Sequence, residues 1–280
     1  MPRKVVRLKP LVVPMIIARK YAGELAYLVR GMVRDYQSII GIYRDNRGQI
    51  VVDDMVNDLT KRLDKLGRIW RKRFEEFADN NTPKTIERVL RSSDLQIKSI
   101  LQDWFAENRF VLFGQSIPRP LQQVMKASIE ENVALIKSLP LQFEERVRGS
   151  VYRAVSGGGT LKDLRKELSK YAGMSERRAK LVASDQVHKA FVNISAKRME
   201  TVGIKKYEWV HTRIGKTQRP YHMRRWDGVS GKKDGHPNGL NGFIFDMNHL
   251  PIIDEKTGER GLPGRLPFCH CRLSPVIEFD

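Results

Sequence analysis

Apolar residues recur at intervals of three and four from Ile17 to Ile194, and the pattern stops at Gly203. That periodicity puts one apolar stripe on each of a series of helices, so the bulk of the chain must bury its surface helix against helix. The first stripe is Ile17, Tyr21, Leu25, Leu28, Met32 and Tyr36, on a helix running to about Ile40. Arg44 to Gly48 reads as a turn. A second stripe runs through Val52, Val56, Leu59, Leu63, Leu66, Phe74 and Phe77, and Asn80-Asn81-Thr82-Pro83 breaks it. A third spans about Lys84 to Phe113, with Ile86, Leu90, Ile97, Leu101, Trp104 and Phe105 facing inward. Leu121, Val124, Met125, Ile129, Val133 and Ile136 make a fourth, ending near Pro140, and Phe143, Val147 and Val151 a fifth.

Gly157-Gly158-Gly159 reads as a linker. No Lys-Ser or Lys-Thr follows it, which argues against a phosphate-binding P-loop. Thr160 with Asp163 looks like a capping box for a short helix that Gly173 ends. Ser175 caps the next, whose face is Ala179, Ala183, Val187, Ala190 and Ile194, and Gly203 ends that one.

Beyond Gly203, Tyr207, Trp209 and His211 alternate as a strand does. From Gly215 to Cys271 the chain is dense in Gly, Pro, His and Asn, with no helical period. The expected fold is therefore mainly α, a helical N-terminal region followed by a small, loop-rich α+β module. The expected divisions are 1–140, 141–203 and 204–280.

Charge narrows the function. Fifty-one Lys and Arg against 32 Asp and Glu leave a net charge of +19, which attracts polyanions and nucleic acid above all. The excess recurs along the chain, and Arg71, Lys72, Arg73, Arg177, Arg178, Arg224, Arg225, Lys232 and Lys233 are the expected phosphate contacts. Many of the basic residues alternate with acids and also serve as the solvated side of helices. The apolar run Leu11 to Ile17 is split by Pro14, with no convincing cleavage site after it, and no uncharged apolar stretch of roughly 18 residues exists. Neither a secretory signal nor a membrane partner is expected.

A loop-rich module with little apolar core needs a staple. Five of six histidines, His211, His222, His236, His249 and His270, share it with both cysteines, Cys269 and Cys271. A disulfide between residues two apart would be strained, so free thiols made in a reducing compartment are expected. Sulfur and imidazole are zinc ligands, and Cys269, Cys271, His222 and His236 are the expected set. No other cofactor is indicated. Asp227, Asp234, Asp246 and Asp254 are scattered through loops and form no visible catalytic pair, so no catalytic residue is assigned. The bland alternative to a metal is two buried thiols beside structural histidines.

From Asn132 to Pro275 the motif order resembles the phage Mu F-like minor head protein, or head morphogenesis, family. The segments that carry the likeness are Asn132 to Pro140 and Arg178 to Gln186, then Gly203 with Tyr207 and Trp209. Arg219 to His222, Asp227-Gly228, Pro263-Gly264, Cys269-His270-Cys271 and Pro275 follow. The family usually has an acid some places before its Arg-x-x-His, where this chain has Ile214-Gly215-Lys216, and a Cys-Arg-Cys where this chain has Cys-His-Cys. In the family's terms Trp209, Arg219, His222, Asp227, Gly228, Cys269 and Cys271 form the shared structural motif. The resemblance implies a minor virion protein inside the capsid near the portal vertex, made in the host bacterial cytoplasm. It implies portal, coat or scaffolding partners and a role in head assembly and in DNA packaging or ejection. Two other readings stay open: a metal-dependent nuclease or hydrolase, and an assembly adaptor that touches no DNA.

Overall fold

The structure is a computed structural model that describes residues 4–42, 54–102, 117–156, 161–212, 219–223 and 238–279. Four long helices dominate: α1 (Met15–Ile42), α2 (Asp54–Gln102), α3 (Arg119–Ser156) and α4 (Leu161–Thr201). The described residues also hold four short strands: β1 (Lys4–Arg7), β2 (Lys206–Val210), β3 (Ile244–Asp246) and β4 (Arg272–Phe279). They form one antiparallel sheet in the order β1-β4-β2-β3. The mainly α chain with a small α+β end is as the patterning required. Among the described residues, no helix is long and apolar enough to cross a membrane.

Three expected breaks are not breaks. Pro83 lies inside α2, Pro140 inside α3, and Gly173 and Ser175 inside α4. A helix-interior proline costs about 3 kcal/mol and a glycine about 1. The buried stripes continue through each point: Phe74, Ala78, Ile86 and Val89 on α2; Ile136, Leu139, Phe143 and Val147 on α3; Leu168, Ala179 and Ala183 on α4. Each fully buried apolar side chain contributes about 1.5–3 kcal/mol, so packing outweighs the local penalty. The stretch from Trp104 to Phe113, the Gly157 to Thr160 linker and cap, and the turn at Arg44 to Gly48 lie outside the described residues.

By contacts the chain divides into two compact units of interleaved segments: unit 1 of Met1–Ile17, Thr85–Ser128 and Asp185–Asp280, and unit 2 of Ala18–Lys84 and Ile129–Ser184. This grouping cuts across the linear division at 140 and 203, because β1 pairs with the C-terminal β4, Lys4 opposite Phe279.

In unit 2 the α1 stripe buries Tyr21, Leu25, Met32 and Tyr36, while Leu28 is half-buried. The Tyr21 hydroxyl shares a 2.9 Å hydrogen bond with Thr82 and donates to Asn132 at 3.3 Å. The Tyr36 ring meets Phe143 edge-on, 5.3 Å between centroids. Burial pushes the Tyr21 phenol up to about 12, with the bonds to Thr82 and Asn132 offsetting part of the rise. The folded state therefore favours the neutral phenol. That stability is whole below the unfolded tyrosine value of about 10 and is lost as pH rises through about 12. Tyrosinate absorbance should show a late-ionising class that Tyr21→Phe reduces. A Tyr21→Phe titration identical to wild type would contradict this.

In unit 1, α2 and α4 are joined by a 2.8 Å Ser93–Ser195 hydroxyl bond and by a two-pronged ion pair from Arg198 to Asp94, at 2.7 and 3.0 Å. Both serines and Arg198 are buried.

Candidate metal centre

The site begins where α4 ends. Gly203 has φ +85°, its N–H bonds the Glu200 carbonyl at 3.1 Å, and the Ile204 N–H bonds the Met199 carbonyl at 2.9 Å. This is a Schellman cap, and the buried Met199 and Ile204 supply its apolar contact. The cap turns the chain straight into β2, which presents Tyr207 and Trp209 to the core. Trp209 stands opposite Leu273 of the longer β4. His211 follows the strand, its amide held by the Asn241 side chain at 2.8 Å.

His222 comes from a one-turn 3₁₀ helix, Pro220–His222. Its ring lies edge-on to Trp209 at 5.0 Å. Its Nε2–H donates to the Ile253 carbonyl at 2.8 Å, an assignment made from the acceptor nature of that oxygen. Nδ1 is thereby left with a lone pair, and it faces both sulfurs, 3.4 Å from Cys269 Sγ and 3.8 Å from Cys271 Sγ. His211 Nδ1 is 3.3 Å from Cys271 Sγ.

The cysteines arrive on a loop pinned at several points. Arg219 donates to the Pro267 carbonyl at 2.9 Å, Thr212 to the His270 carbonyl at 2.7 Å, and the Phe268 N–H to Asp185 of α4 at 3.0 Å. Phe268 itself has φ 59°, a left-handed conformation that a bulky residue adopts only when its surroundings impose it. His188 packs under the loop, its Nε2 3.3 Å from the Cys271 carbonyl. Gly264 is required here, because with φ +83° a Cβ would also meet the His188 ring at 2.5 Å.

His222, Cys269 and Cys271 are all buried, and their ligating atoms lie within 4.8 Å of one another. The Cys269 thiol is held well below the usual range, first by the hydrogen bond from Cys271 and then by His222, against the opposing effect of burial. Cys271 is pushed up, first by that same bond and then by burial. The pair thus favours one buried thiolate, at Cys269. Burial lowers His188, which favours its neutral form. The buried Trp209 indole N–H has no hydrogen-bond partner among the described residues.

Of the expected ligands, three are therefore together and His236 lies outside the described residues. Asp227, Gly228, Arg224, Arg225, Lys232 and Lys233 lie outside them too. His249 is exposed. Sequence reasoning passed over three groups that matter here: His211, Asp185 and His188. His211 carried a usable signal, since it directly follows the strand that places Trp209.

The expected basic contacts fare differently. Arg71 pairs with buried Glu144, and Arg73 stacks on Trp70 at 4.5 Å and pairs with Asp35 at 3.7 Å. Lys72 points to solvent, 4.0 Å from Glu76, and Arg177 and Arg178 are exposed on α4.

Taken together these elements define a helical protein whose C-terminal segment is a pinned Cys–His knot. Residues 145–274 match the family model described as Phage Mu protein F like protein. An "Uncharacterized protein" of Haemophilus influenzae is 37% identical over 147 residues, which is 52% of this chain and 28% of that protein. The chain thus aligns with well under half the length of that relative. No solved structure matches the chain.

Proposed function

We propose that this chain is a phage head morphogenesis protein, a minor virion component placed inside the capsid near the portal vertex. The observation that carries this reading is the match of residues 145–274 to the Phage Mu protein F like family model. The partners proposed are the portal protein, the coat or scaffolding protein, and double-stranded DNA bound without regard to sequence. The DNA contact is supported by the net charge of +19 and by exposed cations such as Lys72, Arg177 and Arg178. Arg71 pairs with buried Glu144 and is not proposed as a phosphate contact, while Arg73 is exposed and pairs with Asp35 at the surface.

The role is structural rather than enzymatic. Burial of His222, Cys269 and Cys271 keeps them from a scissile phosphate, which argues against a nuclease centred on them.

Electrostatic binding sets a clear expectation. Log affinity for duplex DNA falls linearly with log salt, with a slope of about −0.9 per phosphate neutralised. Arg177→Glu with Arg178→Glu should flatten that slope by about two if each arginine neutralises one phosphate. DNA retention equal at low and high salt overturns the DNA contact. Capture by portal protein in nuclease-treated, high-salt buffer then tests the assembly role alone.

A further inference from the structure

We propose that His211, His222, Cys269 and Cys271 hold one zinc ion in a closed, four-ligand structural site. The inference goes beyond the head-protein reading and does not depend on it.

Geometry comes first. Zinc–sulfur bonds of about 2.3 Å and zinc–nitrogen bonds of about 2.0 Å at tetrahedral angles set a sulfur-to-nitrogen edge of about 3.6 Å. The two edges from His222 Nδ1, 3.4 and 3.8 Å, bracket that value, and the edge from His211 Nδ1 to Cys271 Sγ is 3.3 Å. A thiol–imidazole hydrogen bond spans a similar distance, so what points to an ion is the convergence of both buried sulfurs on the one free lone pair of His222 Nδ1, with His211 Nδ1 beside them.

The surroundings agree. A zinc-bound histidine usually donates its second ring N–H to a carbonyl or carboxylate, which fixes the tautomer. His222 does so to Ile253. The ring that orients His222 belongs to Trp209, whose buried indole N–H has no hydrogen-bond partner among the described residues. Charge balances as well: two thiolates and two neutral imidazoles around Zn²⁺ sum to zero, so the site can be buried without an unpaired charge.

His211 is the fourth ligand. It lies outside the mutual 4.8 Å set of the other three but already reaches one of them, Cys271, so its half-buried ring needs to shift to close the shell. Its backbone is already fixed by Asn241. With four protein ligands no position is left for water, which makes the ion a staple and not a hydrolytic centre. The ligands come from just after β2, the 3₁₀ turn and the loop just before β4, so one ion would fasten the turn and the loop to the paired end of the sheet.

The test uses the full-length protein purified under reducing conditions. Elemental analysis should find one zinc per chain. Cobalt substituted for zinc should give a thiolate-to-cobalt charge-transfer band and the intense visible bands of a four-coordinate ion. His211→Ala should weaken metal retention against a competing chelator by more than the roughly 10–100-fold typical of losing a supporting contact. His236→Ala should leave it unchanged. Folded wild-type protein that neither carries zinc nor takes it up overturns the site. Release by His236→Ala and not by His211→Ala overturns the assignment of the fourth ligand. Zinc content is read without DNA or portal, so failure here leaves the head-protein reading intact.

Discussion

Trp209→Ala is expected to destabilise unit 1 by about 3–5 kcal/mol, the range for removing a large aromatic from a packed core. The residue is among the largest fully buried side chains of the protein. It stands on the central pair of the sheet, opposite Leu273, and edge-on to His222. Truncation removes apolar contact on β2 and leaves a cavity beside the His222 ring, whose Nδ1 faces the sulfurs. Trp209→Phe keeps most of the volume and loses only the donor and the smaller ring, so it should cost less than half as much. Native-state hydrogen exchange of β2 and β4 amides is the suitable readout, because it reports this sheet separately from unit 2. A loss under about 1 kcal/mol for Trp209→Ala would show that the sheet face is not packed as described.

That residue also marks how far the sequence could be read. Alternation at Tyr207, Trp209 and His211 was enough to place β2, because a half-buried strand shows its period within one segment. β1 was not legible. It is four residues long, and its partner β4 is at the far end of the chain, so nothing local distinguishes Lys4–Arg7 from a polar N-terminal stretch. The helix boundaries failed for a related reason. Pro83, Pro140 and Gly173 are local stop signals, but the stripes continue in phase across them, and burial on both sides decides the outcome.

The candidate site divides the same way. Residue type singled out His222, Cys269 and Cys271, since sulfur and imidazole crowded into a loop-rich module have few other uses. Finding His211 beside the cysteines needed the fold, because β2 delivers it to within 3.3 Å of Cys271. The run Arg71-Lys72-Arg73 could not be resolved into separate surroundings from sequence alone. On a helix, consecutive residues point in different directions, so one cation reaches a buried carboxylate, one meets solvent and one stacks on Trp70.

The carboxylate that Arg71 reaches is Glu144, and its environment sets up the second large effect. Glu144 is buried on α3, accepts from Arg148 one turn on at 2.6 Å, and pairs with Arg71 of α2. Arg148 also pairs with Asp64, and the bond to Glu144 is the first cause of its raised pKa. Glu144→Ala should cost about 3 kcal/mol, the low end for breaking a buried pair, because both guanidiniums keep about a third of their surface in water (37% and 34%). Gly67 makes the room for this carboxylate: a Cβ there would lie 2.5 Å from Glu144 Oε1. Gly67 sits inside a helix, where alanine alone gains about 1 kcal/mol in propensity, so the sign of Gly67→Ala tests the contact directly. We expect it to destabilise by about 1–3 kcal/mol through overpacking. In the Glu144→Ala background the obstruction is gone, and Gly67→Ala should then be neutral or stabilising. The two changes must be non-additive by at least about 1 kcal/mol in a double-mutant cycle measured by urea unfolding. Additive costs would mean that Glu144 does not occupy the space beside Gly67, and that the basic residues around it are held by something else.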